Sequence, residues 1–346
     1  SYLGGTRTED KHYSFEFLER NIAILREAKH DIVAGKLLPG KDAQGLMKAY
    51  RMSLAYFFAP LMASELMGVD FSPTGTLLAS HLGKITRMVD IDNNGTFDNI
   101  ENIIEGLPVG LHNNNNLVFG PDGKFYVGNG STCNHCIDSN PLSATIIRAN
   151  EDGSDPEIYA TGLRNVFDMT FTETGELWAT DNSADPPCAH PDELNLIVDG
   201  GHYDWPDTCA DNIKQKVKAH HITNNEDLDI PDGYTLQDTV LDLGFHLGPA
   251  GITVYERDQF PDRYSGNLFI SIWGSIHASA EEKKEKESWR LIAVNPDNLD
   301  DNLPSDSPSK YNDSVEQFAT GFHHPIDVVV DSYGTLFVAD WGSGRI

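Results

Sequence analysis

The sequence predicts an all-β fold, a β-propeller of four-stranded blades, preceded by a partly helical N-terminal extension. Two observations predict this fold: a glycine turn that recurs between β-rich runs, and a spacing close to the length of one blade. The turn glycines are Gly75, Gly123, Gly175 and Gly334, with Gly266 in a looser copy. Each copy is typical of a tight hairpin, because glycine supplies a positive φ and its aromatic and β-branched neighbours suit a half-buried sheet.

The spacing of these glycines favours a propeller over a stack of β-sandwiches. In chain order they are separated by 48, 52, 91 and 68 residues. A period near 50 residues is typical of a four-stranded blade, and the interval of 91 leaves room for a skipped copy or a long insertion. Sandwiches would show shorter and more regular strand spacing without this fixed turn.

The repeat also suggests the domain organisation, with an extension at 1–65 and the propeller at 66–346. A first helical face is indicated by Phe15, Leu18, Ile22 and Leu25, and a second helical segment is predicted over 42–67, interrupted at Pro60. The extension could be a cap, an extra domain or an element that binds a protein partner. Residues 344–346 read as the start of an unfinished hairpin, so the last blade is expected to need partner strands from elsewhere.

The charge of the chain narrows the range of partners. Lys and Arg number 25 against 53 Asp and Glu, so the formal net charge is −28. Nucleic acids and anionic lipid surfaces both select clustered basic residues, which argues against either partner. The most apolar stretch, 54–67, contains Pro60 and Glu65 and is too short to cross a bilayer. No signal peptide is visible at the start of the sequence. We therefore expect an acidic globular protein without nucleic acid or membrane insertion.

Four cysteines bear on the compartment. Cys133 and Cys136 form a CxxC, and Cys188 and Cys209 lie further apart. A four-thiolate zinc site needs two close pairs, and a redox CxxC would open a helix rather than follow a Gly-rich strand end. The pattern favours two disulfides, with their pairing open, in an extracytoplasmic compartment, and free buried thiols are the alternative.

Residues 90–101 match the twelve-position calcium-loop pattern, with Gly95 at the sharp turn in position 6. The candidate ligands are Asp90, Asp92, Asn94, Thr96, Asp98 and Glu101. Residues 85–89 read as a strand rather than a helix, so the site would be a calcium-stapled hairpin. The alternative is an Asx-rich turn between two strands.

Several motifs in the middle of the chain keep a distinctive order. The segment 110–131 contains His112 and leads into Cys133-Asn-His-Cys136; it is followed by Thr161-Gly-Leu-Arg164-Asn165, Asp181-Asn182, Pro191-Asp-Glu193-Leu-Asn195 and Trp205-Pro206. Together these motifs resemble the glucose/sorbosone dehydrogenase family, six-bladed propellers that use pyrroloquinoline quinone (PQQ) with calcium. The likeness covers about 68–346 and is strongest over 107–206.

The resemblance implies oxidation of an aldose, or a related sugar or alcohol, in the funnel at the propeller axis. His112 would be the general base that takes the hydroxyl proton while hydride passes to the quinone. Arg164 would stabilise the charge that develops on the quinone. The residues expected to hold PQQ are Arg164, Asn165, Trp273 and His324, and the backbone carbonyls expected to hold an axial calcium are those of Ser183 and Ala184. Electrons would leave to a separate acceptor, because no haem motif follows Cys136.

The residues also allow structural explanations. His112 could form hydrogen bonds within an Asn-rich loop, and Arg164 with Asn165 could cap a strand end. A second functional hypothesis is a catalytically inactive propeller that acts as a binding or assembly module, because His323 and His324 stand where the family usually has Arg. A third is a propeller lactonase or hydrolase with an axial calcium.

Overall fold

The computed structural model describes residues 66–92, 97–185, 190–206, 230–274, 289–299 and 314–346. The extension at 1–65 lies outside the described residues, as do Asn94, Thr96, Cys188 and Cys209, so the predictions made for them stay predictions. The described chain is almost entirely β-strand, with short 3-10 helices at Asp262–Tyr264 and Pro296–Asn298. The all-β prediction is therefore confirmed. No described helix is long and apolar enough to span a membrane.

The strands form five antiparallel sheets in chain order. The first holds β1 (Leu66–Phe71), β2 (Leu77–His81), β3 (Lys84–Val89) and β4 (Asn99–Glu105). The second holds β5 (Asn114–Phe119), β6 (Phe125–Asn129), β7 (Thr145–Ala149) and β8 (Glu157–Thr161), and it is extended in parallel beyond β8 by β12 (Gly201–His202) and β13 (Thr235–Leu236). The third holds β9 (Val166–Phe171), β10 (Leu177–Asp181), β11 (Asp192–Ile197) and β14 (Leu241–Gly244). The fourth holds β15 (Pro249–Val254), β16 (Leu268–Ile272), β17 (Arg290–Val294) and β18 (Val315–Thr320), and the fifth pairs β19 (Pro325–Val330) with β20 (Leu336–Asp340).

The first strands of successive sheets contact one another in the order β1, β5, β9, β15, β19. Each sheet therefore runs outward from an innermost first strand, which is the arrangement of blades in a β-propeller. This confirms the predicted fold class and the four-stranded blade. The described residues supply five sheets, and the six-bladed ring stays a prediction.

The five turn glycines join the first and second strands of the five sheets, as the repeat predicted. All of them adopt a positive φ, from 79° at Gly123 and Gly266 to 91° at Gly175. The 91-residue interval between Gly175 and Gly266 contains β10 to β15, and its described residues form no additional sheet. In the part of the chain that the structure describes, the long interval is thus an insertion rather than a skipped copy.

Apolar clusters fill the spaces between neighbouring sheets. Leu78 and Ile85 of the first sheet pack with Leu117, Phe125 and Val127 of the second. Equivalent clusters join the second sheet to the third, the third to the fourth and the fourth to the fifth. The second strands β2, β6, β10 and β16 are buried along their whole length. They include polar residues, such as Ser80 and Asn129, that are buried with their apolar neighbours.

Two local predictions were wrong. The helical segment predicted over 42–67 does not reach its end, because Leu66 and Met67 belong to β1, which pairs along its length with β2. The Asn-rich segment after His112 is not a loop: Asn114, Asn115 and Asn116 open β5 and are buried. Their amides are satisfied by the adjacent sheets, so polar side chains can occupy a buried strand here.

Candidate active site

The residues proposed for catalysis and cofactor binding lie in loops at one end of the sheets. In an antiparallel blade, the start of the first strand and the end of the second are at the same end. His112 precedes β5, Arg164 and Asn165 precede β9, and His324 precedes β19. The matching second-strand ends are followed by Ser183 and Ala184 after β10 and by Trp273 after β16. Of the residues of the predicted calcium loop, Asp90, Asp92 and Asp98 lie between β3 and β4 at the opposite end, where the glycine turns also lie.

His112 is half-buried and held by a backbone carbonyl. Its Nδ1 lies 2.8 Å from the carbonyl oxygen of Ser131. Because a carbonyl only accepts hydrogen bonds, Nδ1 carries the proton and Nε2 presents its lone pair. Burial, together with the charge of Arg164, lowers the pKa of His112 to about 4. At neutral pH His112 is therefore an uncharged imidazole able to accept a proton at Nε2.

Arg164 is a buried cation, only 4% exposed. Its Nε donates to the carbonyl of Asn134 at 3.1 Å, its Nη2 to the Oδ1 of Asn134 at 2.8 Å, and its Nη1 to the carbonyl of Asn182 at 2.9 Å. The guanidinium also lies over the ring of Trp205, 5.6 Å from its centroid. Within the described part of the chain, three of its five N–H groups have partners, all of them neutral, so the side chain keeps donors and charge for an anionic ligand.

Asp181, at the end of β10, fixes the backbone that carries Arg164 and Asn165. Its Oδ2 accepts the backbone N–H of Arg164 at 2.9 Å, and its Oδ1 accepts that of Asn165 at 2.5 Å. Burial raises the pKa of Asp181 to about 6, although the two N–H donors oppose this shift. Arg164 and Asn165 thus contact the end of β10 through their backbone N–H groups. The guanidinium of Arg164 takes no part in this contact and makes the interactions described above.

Asn165 and His112 meet at Gly130, just after β6. A Cβ atom on Gly130 would lie 3.0 Å from the Oδ1 of Asn165 and inside van der Waals contact with the Cβ of His112. The Oδ1 of Asn165 accepts a hydrogen bond from the Nδ2 of Asn115 at 2.7 Å. A glycine at position 130 therefore allows the His112 and Arg164–Asn165 segments to approach each other.

The loop over 131–138 is closed by a disulfide between Cys133 and Cys136. The carboxylate of Asp138 closes it a second time, accepting hydrogen bonds from the Oγ of Ser131 at 2.7 Å and from the backbone N–H and Oγ1 of Thr132. The prediction that these cysteines are oxidised is confirmed for this pair.

The loop after β10 has carbonyl groups suited to a cation. The backbone N–H of Ser183 donates to the Oδ1 of Asp192 at 2.9 Å, and the Oδ2 of Asp192 accepts from Gly248 of the next sheet at 2.9 Å. Ala184 is fully buried against Ala144 and Trp205. In the described residues the carbonyls of Ser183 and Ala184 accept no hydrogen bond, so they fit the hard oxygen ligands that calcium requires.

A cluster of rings lies at the same end of the fourth and fifth sheets. The rings of Trp273 and His324 are stacked, with centroids 4.4 Å apart, and the Nδ1 of His324 lies 3.0 Å from the carbonyl of Trp273. Trp341 packs 5.1 Å from Trp273, and Trp289 lies 4.6 Å from both His323 and His324. We call these five residues the Trp–His cluster. Its exposed members, His323 and Trp341, offer ring surface to a planar ligand or a sugar.

At the opposite end, part of the predicted calcium loop comes together. Carboxylate oxygens of Asp90, Asp92 and Asp98 all lie within 4.8 Å of one another. Glu101 lies instead in β4, where its Oε1 pairs with the Nη1 of Arg87 at 3.2 Å. The structure therefore groups three of the proposed ligands and engages the fourth carboxylate elsewhere.

Sequence reasoning missed several residues that shape the site. Asn134 supplies two of the hydrogen bonds to Arg164, and Asn115 ties β5 to Asn165. Trp289 and Trp341 complete the Trp–His cluster. Two signals were available: the position of Asn134 between two cysteines within the family-like segment, and a Trp-Gly-Ser that recurs at 273–275 and 341–343.

The fold and these loops define a propeller protein with a buried cation and a neutral imidazole at one end of its blades. The family model for glucose/sorbosone dehydrogenase matches residues 76–280, more than half of the chain. The chain therefore belongs to this family, as its motifs indicated.

Individual relatives are more distant. Quinoprotein glucose dehydrogenase B of Acinetobacter calcoaceticus is 28% identical over 148 residues, which cover 33% of this chain and 30% of that protein. The chain spans between 30% and 50% of the length of the curated relatives it matches.

Solved structures share the fold. The PQQ-bound aldose sugar dehydrogenase of Streptomyces coelicolor has a TM-score of 0.52 at 19% identity, covering 82% of this chain and 79% of that chain. The calcium structure of a carbohydrate-active enzyme of family AA12 from Trichoderma reesei has a TM-score of 0.59 at 16% identity, covering 80% and 78%.

Proposed function

We propose that this chain is a PQQ- and calcium-dependent sugar dehydrogenase that oxidises an aldose or a related alcohol. Membership of the glucose/sorbosone dehydrogenase family supports the class of reaction. A quinoprotein relative, a PQQ-bound structural neighbour and a calcium-containing one support the two cofactors. The observation that carries the proposal is the juxtaposition of a neutral imidazole, His112, with a buried guanidinium, Arg164.

The residues of this site fit an acidic, planar quinone. Arg164 retains N–H donors because its described hydrogen-bond partners are neutral carbonyls, although Asp181, Asp185 and Asp192 also act on its charge; free donors suit a carboxylate or quinone oxygen. The stacked rings of Trp273 and His324 provide an aromatic surface at the same end of the sheets, and Asn165 adds an amide. When bound, PQQ would supply the two-electron acceptor that none of the twenty side chains provides.

His112 would act as the general base. Its Nε2 would take the proton from the sugar hydroxyl, while the Nδ1–H remains bonded to the carbonyl of Ser131 and prevents the ring from rotating. The charge of Arg164 disfavours an imidazolium beside it, so His112 would pass the proton on to solvent rather than retain it. Arg164 would stabilise negative charge that develops on the acceptor during the reaction.

Ser183 and Ala184 would hold calcium through their backbone carbonyls. Asp192 fixes this loop through the N–H of Ser183 and ties it to the fourth sheet through Gly248. A cation here would lie in a loop whose position is set by a buried carboxylate rather than by flexible side chains.

The wider setting is part of the same proposal. We place the enzyme in an extracytoplasmic compartment, because the Cys133–Cys136 disulfide is typical of an oxidising environment. A separate electron acceptor would reoxidise the cofactor, and the extension at 1–65 is proposed as a site for a protein partner. Neither nucleic acid nor a membrane is among the proposed partners.

The test is dye reduction by purified protein supplied with PQQ and calcium, over a panel of aldoses and alcohols. The wild type is expected to bleach the dye with at least one of them, and His112→Gln is expected to lose more than about a hundredfold in kcat. His81→Gln is the matched control, because His81 is a buried histidine bonded to Thr86 within the first sheet. A wild type that bleaches no dye and shows no PQQ-induced thermal shift would refute the dehydrogenase and favour a binding module.

A further inference from the structure

One loop contacts both of the proposed catalytic groups. The backbone carbonyl of Ser131 accepts the Nδ1–H of His112 at 2.8 Å, and the backbone N–H of Ser131 donates to the carbonyl of Arg164 at 2.7 Å. Three residues later, Asn134 accepts two hydrogen bonds from the guanidinium of Arg164. The loop over 131–138 thus fixes the base and the cation together.

Asn134 occupies a constrained place within this loop. It lies between Cys133 and Cys136, so it belongs to the small covalent ring that the disulfide closes. Its Oδ1 also accepts the backbone N–H of Asp185 at 3.0 Å, which joins the loop to the segment after β10. His135, the next residue, is anchored to the carbonyl of Pro206 at 2.8 Å and packs edge-on against Trp205. These contacts leave Asn134 little freedom to move away from Arg164.

We propose that Asn134 is a positioning residue for Arg164, and that the Cys133–Cys136 disulfide holds Asn134 in that role, so that reducing the disulfide releases Arg164. The function of the positioned guanidinium rests on the proposed dehydrogenase activity, whereas the positioning itself is a property of this chain alone. Both carbonyl groups of one residue act on one guanidinium, in a loop that also holds His112.

The geometry explains why this contact controls Arg164. Truncating Asn134 to alanine removes the Oδ1 that accepts from Nη2 of Arg164 and from the backbone N–H of Asp185, and it leaves the bonds of Nε to the backbone carbonyl of residue 134 and of Nη1 to the carbonyl of Asn182. A long side chain that loses its only bond to a side-chain acceptor, in a loop that also loses its link to Asp185, regains rotamer freedom and reaches solvent. Partial exposure of both cysteines permits attack by a small reductant.

The redox step is a simple exchange. A dithiol reductant such as dithiothreitol transfers two electrons and two protons to the disulfide, the S–S bond breaks to give two thiols, and the reductant closes to its own cyclic disulfide. The covalent closure around Asn134 is then lost, and only non-covalent contacts, those of Asp138 and His135 among them, hold the loop. Reoxidation would restore the original contacts.

The experiment measures the accessibility of Arg164 without any cofactor. The apo protein is treated with phenylglyoxal, which adds to exposed guanidinium groups, and labelling of Arg164 is followed by peptide mass spectrometry. In the oxidised wild type Arg164 is expected to resist labelling. In Asn134→Ala, in Cys133→Ser/Cys136→Ser and in dithiothreitol-treated wild type, we expect labelling to be faster by more than about tenfold.

Two further variants separate positioning from general destabilisation. Asn134→Asp keeps the acceptor oxygens, so we expect it to protect Arg164 as the wild type does. Asn150→Ala removes an asparagine that binds Ser154 in the turn between β7 and β8 at the other end of the sheet, so we expect unchanged labelling. Thermal melts check that each variant is folded at the labelling temperature.

The outcomes distinguish this inference from the proposed function. Arg164 labelling that stays the same in Asn134→Ala and in the reduced wild type would overturn the positioning role, whatever the enzyme does. Labelling that rises as expected in a protein that binds no PQQ would support the positioning role and reject the dehydrogenase. Faster labelling in Asn134→Ala that Asn134→Asp does not reverse would also count against the role of the acceptor oxygens.

Discussion

The protonation state of His112 yields a prediction that differs sharply from the behaviour of an ordinary histidine. Its pKa is lowered from 6.5 to about 4 by burial first and by the charge of Arg164 second. The shift corresponds to a penalty of about 3 kcal/mol on the imidazolium. At pH 5, His112 is then about 90% neutral, whereas a histidine with its usual pKa is about 3% neutral. If His112 is the base, the acid limb of the pH profile should lie near 4.

The assay is kcat/KM for the best sugar between pH 3.5 and 8, with PQQ and calcium saturating. We expect activity at pH 5 to remain close to its plateau and to fall only as the pH approaches about 4, because protonation of Nε2 removes the base. Arg164→Met should move the limb upward by at most about one pH unit, since burial is the larger cause of the shift.

An independent titration tests the same reasoning without catalysis. The ring carbons of His112 can be followed by NMR in the apo protein and assigned by their loss in His112→Gln. A midpoint near 6.5 in this titration, or an acid limb at that pH in the kinetic profile, would refute the argument that burial and Arg164 keep the imidazole neutral.

Three further predictions follow from the same contacts. Gly130→Ala should lower kcat by about a hundredfold with little loss of fold, because the added Cβ would displace His112 and Asn165. Gly120→Ala, at the opposite end of the sheet, is the control. Equal activity of the two variants would argue against the close approach of His112 and Asn165 at Gly130. Asp181→Asn should lower the free energy of unfolding by about 1–3 kcal/mol, because one of two backbone N–H groups loses its acceptor, as measured by urea denaturation. The pKa of Asp181 is higher in the folded state than its usual 3.8, so its contribution to stability is fully present below pH 3.8 and is lost as the pH rises through about 6. The loss of unfolding free energy in Asp181→Asn should therefore be larger at pH 4 than at pH 7, by up to about 3 kcal/mol. An unchanged or reversed difference between the two pH values would contradict the raised pKa of Asp181. Asp92→Ala should remove one bound calcium per chain in a metal analysis while Asp152→Ala does not, and identical stoichiometry in both would leave 90–101 as an Asx-rich turn.

Features set by a single local conformation were predictable from the sequence. Each blade hairpin requires a glycine at positive φ, so Gly75, Gly123, Gly175, Gly266 and Gly334 indicated the first two strands of every described sheet. The family-like motifs around His112 and Arg164 were also predictable, because they occupy contiguous stretches of sequence. What they predicted was the order of the site segments along the chain.

Features that depend on distant partners were not predictable. Asn114, Asn115 and Asn116 look like a polar loop, yet each is buried because acceptors and donors on adjacent sheets satisfy it: Asn114 bonds to Ser80 and His81, Asn115 to Asn165 and Val166, and Asn116 to Asp168. Such partners lie at least 30 residues away in sequence. Tertiary hydrogen bonds therefore outweighed the turn preference of asparagine.

The Trp–His cluster shows the same limit at the site itself. Trp273 and Trp341 follow the second strands of different sheets, each at the same distance from its turn glycine, whereas Trp289 precedes β17 and no such spacing links it to them. Their contacts arise because three loops converge at one end of the fourth and fifth sheets. His323 and His324 stand where the family usually has Arg. Their role could be interpreted only after these aromatic neighbours were located.

The central claim, that Arg164 is the buried cation of a PQQ site, is tested most directly by calorimetric titration of the full chain with PQQ in the presence of calcium. We expect one saturable site per chain in the wild type and an affinity at least about tenfold weaker in Arg164→Lys, which keeps the charge but not the planar fork. Absence of saturable binding in the wild type, or equal affinity in the two proteins, would contradict it.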